Sequence, residues 1–173
     1  MLNFRLRSVA SLALAAGLAA SSWTPLHAEG PGLALAERRA LKQYQDTKFP
    51  EEQKKIQAGA GFDVALEVKW DAIARPGDGS NYLQDDYWTN IFFEPLAAAL
   101  KQVAADDMGA KALKEKLKKI VVTYDEKTAP ASNYPNGVTF DNGTLTINFT
   151  PFSNAQDKDE RTKAIAGVLE SKL

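Results

Sequence analysis

The chain contains no cysteine, so no disulfide can stabilise its fold. This absence is informative because the N-terminus predicts export, and exported proteins can form disulfides. Residues 1–28 are typical of a secretory signal peptide, because Arg5 and Arg7 precede a short apolar run and the small residue Ala28 ends a polar stretch. Many exported proteins use disulfides, and this one has none to use. We therefore expect residues 29–173 to fold as a single domain that depends on core packing.

The length of the apolar run in the predicted signal, residues 9–20, determines whether a transmembrane helix is predicted. A transmembrane helix needs about 20 apolar residues, whereas this run is shorter and leads directly to the cleavage-like site. An uncleaved anchor is the alternative interpretation. The sequence predicts a periplasmic or secreted protein that has no membrane span after the signal is cleaved.

The charge of the mature chain bears on its partners. Loss of Arg5 and Arg7 with the signal lowers the basic count from 21 to 19 against 22 acidic residues, which gives a net charge of −3. Nucleic-acid binding needs a basic face that meets the phosphates. We therefore expect no nucleic-acid partner.

The mature chain also lacks imidazole and thiol groups, because its one histidine, His27, lies in the predicted signal. This composition excludes a Ser-His-Asp triad and a cysteine nucleophile. It also excludes the usual ligand sets of zinc and copper. We expect no cofactor, and only carboxylate, hydroxyl, lysine and arginine chemistry remains open to the chain.

Hydrophobic periodicity outlines the secondary structure. Apolar residues at helical spacing predict helices over residues 33–47, 51–58 and 85–105, from residue 106 and from residue 158. Alternating or β-forming segments predict strands over residues 62–70, 120–124, 138–140 and 144–149. Asn142-Gly143 predicts a hairpin between the last two strands.

These elements predict an α+β fold. We expect a small, largely antiparallel sheet of about four strands with a C-terminal β-hairpin, helices packed on one face, and the order ααβααββα. Two local details accompany it. Pro95 should kink or divide the helix over residues 85–105, and Asp157 with Glu160 has the spacing of a capping box for the last helix.

The loop before the main helix holds the first candidate site. Asp78, Asp85 and Asp86 offer oxygen ligands for calcium, although their spacing does not match an EF-hand. Turn and capping chemistry explains the same residues. The neighbouring Tyr82 and Tyr87 would bind a sugar or a protein if they were exposed, whereas Trp88 fits the apolar stripe of the helix.

Two further candidates remain open. Asp86 and Glu94 lie eight residues apart, so they could share a helix face as the acid and base of a hydrolase. Residues 128–136 form a long loop that contains Tyr134, and such loops serve either recognition or spacing.

Taken together, these features favour a binding or interaction protein of the cell envelope, with a protein partner. An inhibitor, an immunity-type protein and an accessory subunit all fit. The predicted binding residues are Asp78, Tyr82, Asp85, Asp86, Tyr87 and Tyr134. The alternative is a carboxylate-dependent hydrolase or a calcium-dependent binder that uses the region from Asp78 to Glu94.

Overall fold

The structure is a computed structural model that describes residues 32–173. The predicted signal peptide, residues 1–28, lies outside these residues. The helices are α1 (Leu35–Thr47), α2 (Phe49–Ala60), α3 (Trp70–Ile73), α4 (Glu94–Val103), α5 (Asp107–Lys116) and α6 (Lys158–Lys172). The strands are β1 (Ala65–Val68), β2 (Lys119–Thr123), β3 (Val138–Asp141) and β4 (Thr144–Asn148).

The four strands form one open, mixed sheet in the order β1-β2-β4-β3. β1 pairs with β2, and β2 with β4, in parallel, whereas β3 and β4 form an antiparallel hairpin. The α+β class and the hairpin are therefore confirmed. The expectation of a largely antiparallel sheet is wrong, and the predicted order ααβααββα omitted α3 and one of the three strands between α5 and α6.

The parallel pairings follow from the connections between the strands. Helices α3, α4 and α5 lie between β1 and β2 and return the chain to the end of the sheet at which it started. Residues 124–137 then pass the carboxyl end of the sheet before β3 runs in the opposite direction. Alternation identifies the two faces of a strand and contains no information about its direction, so the sequence pattern could not show this.

The register gives the sheet one apolar face and one polar face. Two rows of side chains cross the apolar face, Leu66–Ile120–Leu145–Phe140 and Val68–Val122–Ile147–Val138. The central members of both rows are fully buried. The opposite face presents polar side chains such as Glu67, Lys119 and Thr146. The alternation predicted for residues 144–149 is therefore confirmed.

The main helix is shorter than predicted. Residues 78–88 form successive turns, residues Thr89–Phe93 form a π-helical turn, and α4 begins only at Glu94. Pro95 thus lies in the first turn of α4, a position that proline favours, directly after the π-helical turn. The apolar stripe itself is buried as expected, with Trp88, Ile91, Phe92, Leu96, Ala99, Leu100 and Val103 in the core.

Local signals at the element ends have mixed outcomes. Asp106 caps α5 by accepting the N–H of Gly109 at 2.8 Å, and Asn142 and Gly143 adopt the left-handed conformation of a tight hairpin, with φ of 49° and 80°. The capping box at Asp157 does not form, because its carboxylate accepts a hydrogen bond from the Tyr134 hydroxyl instead. Trp70, predicted to end a strand, begins α3. Among residues 32–173, no helix combines the length and the hydropathy that crossing a bilayer requires.

Glu67 on the polar face should make stability depend on acid pH. Its carboxylate pairs with Lys119 and Lys69, and these hydrogen bonds lower its pKa from 4.5 to about 2. A lowered pKa adds stability above pH 4.5 that disappears as the pH falls through about 2. We expect Glu67→Gln to flatten the decline in the free energy of unfolding across this window in urea titrations, whereas Glu126→Gln, on an exposed turn, should leave the decline unchanged.

Candidate functional site

The tyrosines of the predicted binding loop lie inside the protein. Tyr82 and Tyr87 are fully buried, and so is Trp88. The Tyr82 hydroxyl donates to the Arg75 carbonyl at 2.7 Å, and the Tyr87 hydroxyl donates to the Asp78 carboxylate at 2.8 Å. Burial raises the pKa of both tyrosines, and for Tyr87 the bond to Asp78 adds to the effect. These rings therefore support the loop from beneath, and no part of their surface is accessible to a partner.

The three aspartates of the calcium alternative have separate partners. Asp78 bonds to Tyr87, the Asp85 carboxylate lies 2.5 Å from the Lys48 ammonium, and Asp86 accepts from the Asn90 amide at 2.7 Å. Within residues 32–173, no three acidic, histidine or cysteine side chains come together in a way that could hold a metal ion. These side chains hold the loop in place through hydrogen bonds and an ion pair, which agrees with their interpretation as turn and capping residues.

The carboxylates of the hydrolase alternative are likewise divided between different elements. Glu94 pairs with Lys158 of α6 at 3.1 Å, whereas Asp86 bonds to Asn90. The π-helical turn lies between them, and it inserts an extra residue into the helical repeat. Their eight-residue spacing therefore does not place the two groups on one helix face.

Tyr134, the aromatic residue of the second predicted loop, is also buried. Only 3% of its surface is exposed, and its hydroxyl donates to Asp157 at 2.7 Å. The Arg161 guanidinium lies 4.4 Å from the centre of its ring. Burial, together with the bond to Asp157, raises the pKa of Tyr134. Tyr134 therefore anchors its loop to α6.

A different set of side chains reaches the surface where the parallel strands end. Arg75 follows β1, Tyr124 follows β2 and Phe152 follows β4, so all three lie beyond carboxyl ends of the sheet. We call Arg75, Asp78, Tyr124 and Phe152 the carboxyl-edge surface. In parallel sheets this end is where ligand sites usually form, because the connecting loops converge there.

Contacts between the side chains join this surface into one unit. The Arg75 guanidinium lies 6.0 Å from the centre of the Tyr124 ring, and its Nε is 3.8 Å from the Asp78 carboxylate. Asp78 bonds to Tyr87, whose ring stacks on Phe152 at 5.7 Å. The surface thus combines two aromatic rings, a cation and an anion over a buried aromatic base.

Phe152 is the exposed apolar member of the carboxyl-edge surface. Its side chain is 45% exposed, and its backbone has a φ of 56°, a conformation that bulky residues rarely adopt. Left-handed backbone costs an L-residue about 1–2 kcal/mol. A surface phenylalanine in this conformation exposes apolar area and adds backbone strain, and such strain tends to be kept where function needs it.

The buried side chain of Arg161 fixes the segment that carries Phe152. Its Nη1 and Nη2 atoms donate to the carbonyls of Asn154 and Ser153 at 2.8 and 2.5 Å, and the residue is 1% exposed. Within residues 32–173 its Nε has no hydrogen-bond partner, and no carboxylate lies within ion-pair distance of the guanidinium. Burial lowers its pKa. Burying a cation costs free energy. Here the two hydrogen bonds of the buried guanidinium fix the conformation of residues 151–157.

The loop that contains residues 78–87 and the loop over residues 128–136 are both hydrogen-bonded to residues 151–157. Phe152 donates its N–H to the Tyr87 carbonyl at 3.3 Å on one side, and the Asn154 amide donates to the Ala131 carbonyl at 3.1 Å on the other. Glu37 of α1 fixes the first loop by accepting the N–H of Gly77 at 2.6 Å. The loops predicted from the sequence are therefore joined, although the three tyrosines predicted for contact are buried, whereas Asp78 and Asp85 remain at the surface.

Sequence reasoning missed Phe152, Arg75, Tyr124 and Arg161. Arg161 lies near the start of α6, where an arginine is normally exposed. Only the unusual run Pro151-Phe152, an aromatic directly after the proline that follows β4, was a signal that could have been used.

Comparison of the chain with protein-family models, with curated proteins and with solved structures finds no match. The functional conclusion therefore depends on the surface itself.

Proposed function

We propose that this protein is an exported binding protein of the cell envelope that docks a protein partner on the carboxyl-edge surface, with Phe152 as the anchor. The observation that carries the proposal is the exposed Phe152 ring, held in a left-handed backbone conformation by a buried arginine. An inhibitor, an immunity-type protein and an accessory subunit all belong to this class.

The composition of the surface supports a protein partner. Interfaces are enriched in aromatic residues and arginine, and a few such residues in the centre carry most of the binding energy. Phe152 offers an apolar ring that fits a pocket, while Arg75 and Asp78 offer one cation and one anion beside it. A rigid anchor loses little conformational entropy on binding, and Arg161 provides that rigidity. The carboxylates of the hydrolase and calcium alternatives converge on no common point, so we propose no second function.

Capture of partners from the host's envelope fraction tests the proposal. Tagged wild-type protein should retain a stoichiometric partner, identified by mass spectrometry, whereas Phe152→Asn should retain at least about tenfold less. Asparagine tolerates the left-handed backbone, so this variant removes the ring and leaves the segment in place.

Met108→Asn is the matched control for that experiment. Met108 is 79% exposed on α5, outside the carboxyl-edge surface, so its loss should leave capture unchanged. Equal capture by the wild type and Phe152→Asn, or no partner retained by the wild type, would overturn the proposal. Melting curves of all three proteins, superimposed within a few degrees, show that the comparison concerns binding.

A further inference from the structure

The outer edge of β1 presents backbone groups that no strand uses. Lys69 donates its N–H to the Val122 carbonyl at 2.9 Å, which shows that residues 65, 67 and 69 direct their backbone groups toward β2. Backbone groups alternate in direction along a strand. Leu66 and Val68 therefore direct theirs outward, and within residues 32–173 these groups have no hydrogen-bond partner.

The side chain of Gln57 makes strand-like hydrogen bonds at the start of this edge. Its side-chain amide donates to the Val64 carbonyl at 2.8 Å and accepts the Val64 N–H at 2.7 Å. Val64 is the preceding outward-facing residue of the same edge. One amide thus makes the pair of bonds that a neighbouring strand would make, and the edge continues, unpaired, at Leu66 and Val68.

The surroundings of β1 leave room for a further strand. Apart from β2, no helix or strand of residues 32–173 runs alongside β1. On the apolar side of the sheet, Leu66 and Val68 remain half-buried, so apolar side chains of an added strand would cover them. On the polar side, Glu67 and Lys69 would face its alternate residues.

The opposite edge of the sheet is covered in part. Val138 of β3 donates its N–H to the Pro135 carbonyl, and α6 packs along β3. Proteins commonly cover or interrupt their sheet edges, because a free edge invites pairing with another chain. Of the two edges, that of β1 is the less covered, because no helix in the described part of the chain packs along it.

A second copy of this chain fits the β1 edge poorly. Antiparallel pairing of two β1 edges about Glu67 would set Glu67 directly opposite its copy, and like charges in that position repel. Pairing about Leu66 would need the backbone groups of Val64, which Gln57 occupies. Both symmetric registers are therefore disfavoured.

We propose that the β1 edge binds an extended peptide segment of a partner protein as a fifth strand, through the backbone groups of Leu66 and Val68. The segment carries small apolar residues opposite Leu66 and Val68 and a polar residue opposite Glu67, whose carboxylate already pairs with Lys69 and Lys119. Main-chain hydrogen bonds supply the affinity and the alternate side chains supply the specificity, as in other cases of strand addition. This proposal does not depend on Phe152.

Backbone NMR of the purified protein with a defined probe, acetyl-Thr-Val-Lys-Val-Thr-amide, tests the proposal. In the free protein, the amide protons of Leu66 and Val68 should exchange with solvent without protection, whereas that of Glu67 should be protected. The peptide, at up to about 2 mM, should shift and protect the Leu66 and Val68 amides with a Kd below about 1 mM.

Two N-methylated peptides distinguish strand addition from nonspecific adhesion. Methylation of the two valine nitrogens removes the donors that would face β1, and it should abolish the shifts. Methylation of the lysine nitrogen, which would point away, should preserve them. Protected Leu66 and Val68 amides in the free protein, no shifts at 2 mM, or equal shifts with both methylated peptides each overturn the proposal. A concentration-dependent dimer that protects the same amides would assign the edge to a second copy instead.

Discussion

Arg161→Ala is expected to lower the free energy of unfolding by about 3–5 kcal/mol, because it removes charged hydrogen bonds and leaves a cavity. The carbonyls of Ser153 and Asn154 lose their donors, and the rings of Tyr134 and Phe149 lose the guanidinium packed against them. Urea denaturation followed by tryptophan fluorescence measures the effect, since Trp88 is buried.

Two further variants make the Arg161 result specific. Arg161→Lys keeps the charge but cannot reach two carbonyls with a planar fork, so it should recover only part of the loss. Arg39→Ala removes an exposed arginine of α1 and should change stability by less than about 0.5 kcal/mol. If Arg161→Ala unfolds at the same urea concentration as the wild type, Arg161 does not fix residues 151–157.

Ile147→Asp should destabilise the protein by more than about 4 kcal/mol, because it buries an unpaired carboxylate. Ile147 is fully buried in the middle of β4, between Val122 and Val138 of the neighbouring strands. Circular dichroism during urea titration should show the variant largely unfolded in buffer or at low urea.

Thr146→Asp is the matched control, since it places the same side chain one residue earlier on the polar face of β4. We expect it to cost less than about 1 kcal/mol. Shifting a strand by one residue exchanges its two faces. A reversed result, with Thr146→Asp the more harmful change, would therefore show that the register of β4 is displaced by one position.

The proposed binding surface connects stability with function at Phe152. The backbone of this residue is strained, its ring is exposed, and a buried cation holds the segment around it. A sequence optimised for stability alone would place glycine or asparagine at position 152 and an apolar residue at position 161. The two departures are connected, because Arg161 holds the segment that contains Phe152, and we therefore place the anchor there.

Local sequence signals predicted those features that depend on neighbouring residues. Alternation in residues 144–149 identified the buried face of β4, Asn142-Gly143 identified the hairpin, and Asp106 identified a helix cap. The apolar stripe from Trp88 to Val103 was assigned to the core correctly. The helix boundaries at Glu94 and Trp70 were missed, because packing of the aromatic core overrides local propensity.

The candidate site was harder to predict, because exposure is a property of the whole fold. Tyr82, Tyr87 and Tyr134 occur in loop sequences, which suggested contact with a partner, yet each ring is buried and its hydroxyl has a partner. Of the three aspartates, only Asp85 has a partner far away in the sequence, Lys48, whereas Asp78 and Asp86 bond to Tyr87 and Asn90 nearby.

By itself, the sequence determined most of the strands and helices, which of their faces are apolar, and the absence of cysteine. Only the tertiary structure decided the parallel pairing of β1, β2 and β4, the burial of Arg161, the exposure of Phe152 and the open edge of β1. The reason is physical. Periodicity arises from the repeat of the local backbone, whereas strand direction, burial and edge pairing depend on where the connections bring distant segments together.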